Sequence, residues 1–310
     1  MKLNEVPTQA TEVKTDVKLA EAARGNSTRA VHGGAKRRKA FNALNTPIVQ
    51  TATYTFGDTQ ELIDYMERKT WGDGEDREEY GRYGNPTVSA VERKLAALDS
   101  GEDAVLYASG MAAVTSLLLS VLPTGAHIIM TDDCYRRTRQ FALTFLKRLG
   151  IETSVVPMGD YAAMEAAIIP KKTRFLISES PTNPYLRIAD LQAIAELGKR
   201  HKVLTMIDST FATPVNQRPL EWGIDFVIHS ATKFIGGHGT SIGGMIVDGG
   251  NFDWTSGRFP NFTTPDPSYH GLVYASLVGM GLPPFAIKVR VHVLRDIGAC
   301  ASPFNSWQTI

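Results

Sequence analysis

The chain of 310 residues is 43% hydrophobic and 21% charged, a composition typical of a globular protein with one large or two modest domains. Its 33 Lys and Arg residues against 32 Asp and Glu residues leave a formal net charge of +1, which argues against nucleic acid or a membrane surface as its partner. We therefore expect a small-molecule partner. The two cysteines, Cys134 and Cys300, match neither a disulfide framework nor a metal spacing, so we expect no metal site and a reducing, cytoplasmic setting.

The amino-terminal stretch "MKLNEVPTQATEVKTDVKLAEAARGNS" mixes acidic with basic residues and has no apolar core segment. This pattern argues against a secretory signal and against a transit peptide. No uninterrupted apolar run approaches the roughly 18 residues that a membrane span needs. We therefore expect a soluble chain, in which residues 1–84 form an arm and a loop outside the main domain.

The first regular element is predicted at "NPTVSAVERKLAALDSG", where Asn85 suits the N-cap, Pro86 the first helical position and Gly101 the stop. Short apolar runs then alternate with helical stretches. Strands are predicted at "DAVLYAS", "AHIIMT", "ETSVVPM", "RFLIS", "VLTMI" and "FVIHS", and helices near residues 111–122, 141–149, 162–169 and 190–201. This alternation is typical of a doubly wound, mostly parallel α/β sheet, which we assign to residues 85–248.

Residues 249–310 contain Pro and Gly throughout and show no clear alternation of strands and helices. We interpret them as a wrapping segment with one long helix.

Polar residues follow the predicted strands directly. They are Ser109 and Gly110, Asp132 and Asp133, Glu179 and Ser180, Asp208, and His229 and Ser230. In open parallel sheets, ligands bind beyond the carboxyl ends of the strands. The sequence therefore predicts a binding site at this edge, which we call the rim.

The stretch "HSATKFIGGHGTSIGG" places Lys233 at the rim, after two hydroxyl residues and before a glycine-rich run. A nucleotide-binding loop has the opposite order, with its lysine after the glycines. A neutral lysine amine is a nucleophile toward a carbonyl carbon, so Lys233 is a candidate for covalent chemistry. The alternative is a solvated surface lysine.

Asp208 ends the predicted strand "VLTMI" and is a candidate partner for Lys233. A carboxylate that faces a pyridinium nitrogen keeps that nitrogen protonated, as pyridoxal phosphate requires in order to act as an electron sink. A lysine for the aldehyde and an aspartate for the ring nitrogen would form a matched pair. The alternative is an aspartate that only caps a neighbouring helix.

A phosphate group needs donors, and "ASGMAAVTSLLL" opens a helix at Gly110 and Met111, whose free N–H groups attract an anion. The hydroxyls of Ser230 and Thr232 could add to this site. Tyr135 in "DDCYRR" could stack on a ring face, although most rim tyrosines only pack.

Two turn-like motifs supply further candidates. "EYGRYGNPT" holds Tyr80 and Arg82 in a loop outside the sheet domain, where a guanidinium could clamp a phosphate or reach a neighbouring subunit. "ESPTNP" holds Asn183. The alternative for both is an ordinary turn with solvated side chains.

Five ordered motifs, "EYGRYGNPT", "YASGM", "ESPTNPYL", "MIDSTFATP" and "HSATKFIGGH", resemble the Cys/Met-metabolism family of fold-type I enzymes that use pyridoxal phosphate. The resemblance runs from about Thr28 to the end. It implies that Lys233 carries the cofactor covalently, that Asp208 pairs with the pyridine nitrogen, and that Tyr135 stacks on the ring. It further implies that Asn183 lies near the ring hydroxyl, and that the phosphate is held by Gly110, Met111, Ser230 and Thr232.

In this family the residues corresponding to Tyr80 and Arg82 reach the phosphate site of the adjacent subunit. The resemblance therefore implies a homodimer or homotetramer with shared active sites. Family members also continue into a carboxyl-terminal domain that carries an arginine for the substrate carboxylate. Because Arg295 stands in the wrong context for that role, we expect a truncated carboxyl-terminal part.

The motifs divide between two activities that replace the acyl group of an activated homoserine with a sulfur nucleophile. "EYGRYGNPT" and "DDCYRRTRQF" are similar to cystathionine γ-synthases, whereas "GGHGTSIGGMIVDGGNFDW" and "PDPSYHGL" look like O-acetylhomoserine sulfhydrylases. We favour cystathionine γ-synthase, with sulfhydrylase as the alternative. A γ-lyase is a further alternative, which Arg137 weakens because methionine γ-lyases carry a cysteine there. The last alternative is a truncated, non-catalytic chain that binds the cofactor.

Overall fold

A computed structural model describes residues 25–70 and 78–310. The beginning of the predicted amino-terminal arm, including residues 1–24, therefore lies outside the described residues. The helices are α1 (Asn26–His32), α2 (Thr59–Thr70), α3 (Pro86–Asp99), α4 (Gly110–Val121), α5 (Arg136–Gln140), α6 (Tyr161–Ala166), α7 (Leu191–His201), α8 (Thr213–Asn216), α9 (Pro260–Thr263), α10 (Pro284–Val289), α11 (Arg295–Ile297) and α12 (Pro303–Thr309). Two π-helical segments, Phe141–Leu146 and Arg290–Leu294, continue α5 and α10, and short 3₁₀ turns cover Ala40–Asn42, Pro219–Trp222, Trp254–Ser256 and Tyr274–Met280.

Seven strands form one sheet. They are β1 (Asp103–Tyr107), β2 (His127–Thr131), β3 (Glu152–Val156), β4 (Thr173–Glu179), β5 (Leu204–Asp208), β6 (Phe226–His229) and β7 (Gly244–Asp248), in the spatial order β1-β7-β6-β5-β4-β2-β3. From β6 to β3 all neighbours are parallel, and β7 runs antiparallel between β1 and β6. The mostly parallel, doubly wound sheet predicted from the sequence is therefore present, with an additional strand, β7, that was not predicted.

Both faces of the sheet are covered by hydrophobic clusters, which explains why the strands read as continuous apolar runs. Adjacent residues of β4 point to opposite faces: Phe175 belongs to the cluster under α4, and Leu176 to the cluster under α7. Residues 249–310 extend the first cluster. The rings of Trp254 and Phe262 stack with centroids 4.0 Å apart, and Phe285 lies 4.5 Å from Phe226 of β6.

The described residues contain neither a helix suited to span a membrane nor a cluster suited to hold a metal ion. None of the helices within residues 25–70 and 78–310 has the length and apolar character that a membrane span requires. Across the same residues, no group of three or more His, Cys, Asp or Glu side chains is arranged to hold a metal ion.

Candidate active site at the carboxyl ends of the strands

The carboxyl ends of β4, β5 and β6 bring the predicted rim residues together. Glu179 and Asp208 are register partners at the ends of β4 and β5, and Asp208 also pairs with Ile228 of β6. The chain beyond β6 then leads through Ser230 to Lys233, where the Lys233 backbone N–H donates to the Ser230 carbonyl at 3.1 Å. A tight turn thus places the lysine just past the sheet edge.

Thr210 connects Asp208 to this lysine turn. Its hydroxyl donates to Asp208 Oδ1 at 2.5 Å, its backbone N–H donates to the same oxygen at 3.1 Å, and its hydroxyl oxygen accepts the Ser230 N–H at 2.8 Å. The second oxygen of Asp208, Oδ2, accepts no hydrogen bond from any described residue. The carboxylate is therefore held in place by one oxygen, and the other is available at the rim.

Burial raises the pKa of Asp208, and the bonds from Thr210 partly oppose that effect. Burial also raises the pKa of Glu179, and the neighbouring Asp208 carboxylate adds to the increase. Because Asp208 and Glu179 are neighbours and both are shielded from water, a state in which both carry a negative charge is disfavoured. The rim therefore favours a partner that brings positive charge.

Glu179 positions two of the predicted residues through their backbone. Its Oε2 accepts the N–H of Tyr135 at 2.5 Å, and its Oε1 accepts the N–H of Asn183 at 3.1 Å. Tyr135 is 41% exposed at the start of α5, and the side chain of Asn183 is exposed as well. One buried carboxylate therefore fixes the two loops that flank Asp208.

The amino terminus of α4 lies against Ser230. A Cβ added at Gly110 would lie 2.8 Å from Ser230 Cβ and 2.9 Å from its Oγ, so only glycine leaves this approach undisturbed. The first N–H groups of an α-helix, here those of Gly110 and Met111, have no carbonyl partner inside the helix. The Ser109 hydroxyl caps the N–H of Ala112 instead, at 3.1 Å. Backbone donors and the Ser230 hydroxyl therefore meet in one anion-binding corner.

Thr232 and Met111 have other contacts in the structure. The Thr232 hydroxyl donates to the Gly243 carbonyl at 3.1 Å and accepts the Gly243 N–H at 3.2 Å. To donate to a phosphate, Thr232 would have to give up the Gly243 carbonyl. The sulfur of Met111 accepts the Thr138 hydroxyl at 3.8 Å, which joins α4 to α5.

Lys233 is exposed, and its ammonium group makes no hydrogen bond or ion pair with any residue in the described part of the chain. The glycine run after it folds back on the turn, because Gly236 N–H donates to the Ala231 carbonyl at 2.8 Å. The lysine side chain is therefore free to act on a molecule bound at the rim.

Tyr80 and Arg82 form a separate cluster. The Arg82 guanidinium lies 5.3 Å from the Tyr80 ring and 5.0 Å from the Tyr83 ring, and it donates to the carbonyl of Arg295. This cluster borders the rim through the carboxyl-terminal segment, whose Ala299 carbonyl accepts the N–H of Ala108 at 3.0 Å. No recorded contact within the described residues joins it to Lys233, and its predicted reach into a second subunit stays a prediction.

Sequence reasoning placed Glu179 at the rim without giving it a role, and it did not name Thr210. The Asp-x-Thr spacing of 208–210 was a usable signal, because an aspartate often accepts the backbone N–H two residues on. The position of Glu179 after an apolar strand predicts the rim, but nothing in the local sequence indicates which groups it bonds. Its partners, Tyr135 and Asn183, are joined to it only by the parallel order of the strands.

Comparison with known proteins identifies this architecture. The family described as Cys/Met metabolism PLP-dependent enzyme matches residues 27–310. O-acetyl-L-homoserine sulfhydrylase of Corynebacterium glutamicum is 38% identical over 92% of this chain and 65% of its own length. The chloroplastic cystathionine gamma-synthase 1 of Nicotiana tabacum is 43% identical over 74% of this chain and 42% of its own. The chain thus spans about two thirds or less of these relatives.

A solved structure agrees with the sequence relatives. A putative O-acetylhomoserine (thiol)-lyase of Campylobacter jejuni, which holds an N'-pyridoxyl-lysine-5'-monophosphate, has a TM-score of 0.84 at 31% identity and covers 92% of this chain and 69% of its own. The fold is accordingly that of fold-type I enzymes. With a family match from residue 27 to residue 310, this chain belongs to the pyridoxal-phosphate-dependent enzymes of Cys/Met metabolism.

Proposed function

We propose that this chain binds pyridoxal phosphate and acts in replacing the acyl group of an O-acylated homoserine with a sulfur nucleophile. The continuous path of contacts from Asp208 through Thr210 and Ser230 to the Lys233 turn carries the proposal. Pyridoxal phosphate has three recognisable parts: a ring nitrogen, an aldehyde and a phosphate. The path offers a carboxylate for the first, an unpaired lysine for the second and the anion-binding corner for the third.

The residues fit the cofactor at each of these parts. Gly110 leaves room beside Ser230 for a phosphate, and the α4 amino terminus offers N–H donors. Asp208 Oδ2 has the free acceptor position that a protonated ring nitrogen needs. Tyr135 is exposed at the rim, where its ring could cover one face of the cofactor. Asn183 lies beside it, because both are held by Glu179.

When bound, pyridoxal phosphate supplies an electron sink that stabilises negative charge at the substrate carbon next to the amino group. Asp208 would hold the ring nitrogen protonated and so sustain that role. The amine of Lys233 would take the proton from this carbon and deliver protons along the substrate chain, and its exposed side chain is suited to that role.

For the sulfur donor we propose sulfide, which gives homocysteine, in place of the cysteine that the sequence motifs favoured. The C. glutamicum sulfhydrylase aligns over 92% of the chain, including the glycine-rich segment after Lys233, and the C. jejuni thiol-lyase has a TM-score of 0.84. The second candidate is cysteine, which gives cystathionine. It is favoured by the higher identity, 43%, of the tobacco synthase over its aligned part.

The donor is tested by product analysis. The chain loaded with pyridoxal phosphate is given O-acetylhomoserine with sulfide, with cysteine, or with neither. Homocysteine formation that exceeds cystathionine formation supports sulfide, and the reverse supports cysteine. Release of ammonia and a keto acid without any donor would indicate a lyase instead.

We propose a cytoplasmic homodimer or homotetramer with shared sites for the active form. The proposal rests on Tyr80 and Arg82, whose cluster is separate from Lys233 within one chain. Mixing Arg82→Ala with Lys233→Ala chains tests it. Activity in the mixture, where each variant alone is inactive, is expected if one subunit completes the site of another, and a mixture as inactive as its components would count against shared sites.

A further inference from the structure

A second set of contacts joins the rim strands from the face of the sheet opposite Asp208. The ladder of β4 and β5 ends at the pair Glu179 and Asp208, and the Ser180 N–H donates to the Asp208 carbonyl at 3.0 Å just beyond it. Because successive residues of a strand point to opposite faces, Ser180 and Ser209 lie on the side of Ile207, the face covered by α7. Both serines are fully buried.

Gln217 connects these two serines. This residue follows α8, and its side-chain NH₂ group donates to the Ser180 carbonyl at 2.8 Å and to the Ser209 hydroxyl at 3.1 Å. Its amide oxygen accepts the Ser180 hydroxyl at 3.0 Å, and that hydroxyl in turn accepts the Ala189 N–H at 3.1 Å. Because a carbonyl oxygen can only accept, the NH₂ group must face the Ser180 carbonyl, which fixes the orientation of the amide. Both donors and the acceptor of Gln217 are therefore used.

The two serines are neighbours of rim residues in the chain. Ser180 begins the loop that carries Asn183, and Ser209 directly follows Asp208. The Gln217 amide therefore holds the loop after β4 against the loop after β5. Hydrogen bonds weaken when they are stretched or bent, so a shift of one loop relative to the other would weaken at least one of the three bonds.

We propose that Gln217 is a positioning residue, whose amide fixes the separation between Asp208 and the Asn183 loop at the rim. Its contacts lie on the opposite face of the sheet, so it acts through the two serines and not on a bound molecule. The consequence for pyridoxal phosphate rests on the function proposed above, whereas the fixing of the two loops does not. If Gln217 only filled space beside α7, an apolar side chain of similar length would replace it without effect.

The first test measures hydrogen exchange by mass spectrometry in the whole chain, because exchange reports local opening of backbone hydrogen bonds. Gln217→Met keeps the length of the side chain and removes its hydrogen bonds. Exchange is expected to become about five- to tenfold faster in peptides covering residues 178–184 and 206–212, and to stay unchanged in β2 and α4. Unaltered exchange in the two peptides, or an increase spread over the whole chain, would overturn the proposal.

The matched control for this test is Gln192→Met. Gln192 lines the same surface cleft as Gln217, and its amide donates to Glu196 at 2.8 Å. Removing this bond should leave exchange in both peptides as in the unaltered chain, because the bond joins two residues of α7 and neither loop.

The second test uses Gln217→Glu and compares one variant with itself at two pH values. A protonated glutamic acid matches the shape of glutamine and can donate one hydrogen bond, whereas an ionised carboxylate only accepts and would face the Ser180 carbonyl without a donor. Relative to the unaltered chain at the same pH, exchange in the two peptides is expected to be normal at about pH 4 and faster at about pH 8, where glutamate is ionised. Equal ratios at both pH values would overturn the proposal, even if Gln217→Met does not fold.

Titration with pyridoxal phosphate, followed by its absorbance, separates this proposal from the proposed function. Gln217→Met is expected to weaken binding about fivefold, as the loss of one well-placed hydrogen bond implies, and Gln192→Met to leave it unchanged. Equal affinity of Gln217→Met and the unaltered chain would overturn the positioning role. An unaltered chain that never binds the cofactor, but whose two loops open in Gln217→Met as expected, supports the role of Gln217 and counts against the proposed function.

Discussion

Gly110 illustrates how one residue limits what the rim can hold. Its backbone passes so close to Ser230 that a side chain of even one carbon would displace the serine or tilt the amino terminus of α4. The anion-binding corner thus depends on the absence of a Cβ, because both sets of donors must point into the same small space.

The substitution Gly110→Ala is therefore expected to weaken binding of pyridoxal phosphate by about tenfold or more, the loss that about 1.4 kcal/mol of misplaced hydrogen bonding produces. Fluorescence titration with the cofactor measures the dissociation constant. The matched control is Gly279→Ala, where an added Cβ meets nothing within 4 Å. Equal affinities of the two variants for the cofactor would contradict a role of Gly110 in the anion-binding corner.

Much of the site was predictable residue by residue because its members follow strands directly. The polar groups after apolar runs predicted that Asp208, Ser230 and Lys233 share a rim, and the structure brings them onto one contact path. Whether each binds the cofactor as expected stays a prediction. The role of Glu179 was not predictable, since its bonds to Tyr135 and Asn183 arise from strand order.

At the scale of elements, α3 shows how strongly local signals determine a helix. The Asn85 side chain accepts the N–H groups of Thr87 and Val88 at 2.9 and 3.4 Å, and its amide donates to the Val49 carbonyl at 2.7 Å. The cap therefore starts the helix and also fastens the preceding loop to it. The sequence predicted this helix correctly because the capping residue and the proline at its start and the glycine after its end are all local signals.

Asn85→Ala is expected to lower the free energy of unfolding by about 2 kcal/mol, near the upper end for a lost cap, because the side chain is buried and bonded in both directions. Asp160→Ala, which removes a cap with a single bond to Ala163 at 2.9 Å, should cost about 1 kcal/mol or less. Urea denaturation measures both. A smaller loss for Asn85→Ala than for Asp160→Ala would contradict the double role of Asn85.

Strand β7, which sequence reasoning missed, depends on a distant partner. Strand β7 pairs with β1, with Asp103 opposite Asp248. No sequence signal near residues 244–248 indicates that pairing. Helix α2 was hidden within a stretch interpreted as an arm and a loop. The predicted helix near residues 141–149 is instead α5 continued by a π-helical segment.

At the scale of the whole molecule, the carboxyl-terminal residues were the hardest to predict. Their aromatic side chains, including Trp254, Phe262 and Phe285, show no simple period, yet they complete the core under α4. The class of fold was predictable because alternation of strand and helix is a property of the entire chain. The packing of the wrapping segment against the core was not predictable, because it depends on how side-chain shapes fit together in the folded molecule.

Buried acids give the molecule a pH dependence. Asp248 is buried, one of its oxygens has no partner in the described structure, and burial raises its pKa to about 8. An acid whose pKa is raised on folding contributes stability at low pH, and this contribution is lost as pH rises from about 4 toward 8.

Asp248→Asn is expected to remove that dependence. Its oxygen can still accept the N–H of Gly250, which donates to Asp248 Oδ1 at 2.9 Å. The free energy of unfolding of the variant should exceed that of the unaltered chain increasingly as pH rises, by up to about 1.4 kcal/mol per pH unit. Denaturation at several pH values measures it, with exposed Glu196→Gln as control. Parallel curves for the variant and the unaltered chain would show that Asp248 titrates normally.

We propose that Lys233 is the residue that bonds the cofactor. The most direct measurement reduces the chain with borohydride in the presence of pyridoxal phosphate and locates the modified lysine by peptide mass spectrometry. We predict modification at Lys233, none at the rim in Lys233→Ala, and normal modification of Lys233 in the exposed control Lys199→Ala. Modification spread over surface lysines, or retained equally in Lys233→Ala, would show that Lys233 does not bond the cofactor.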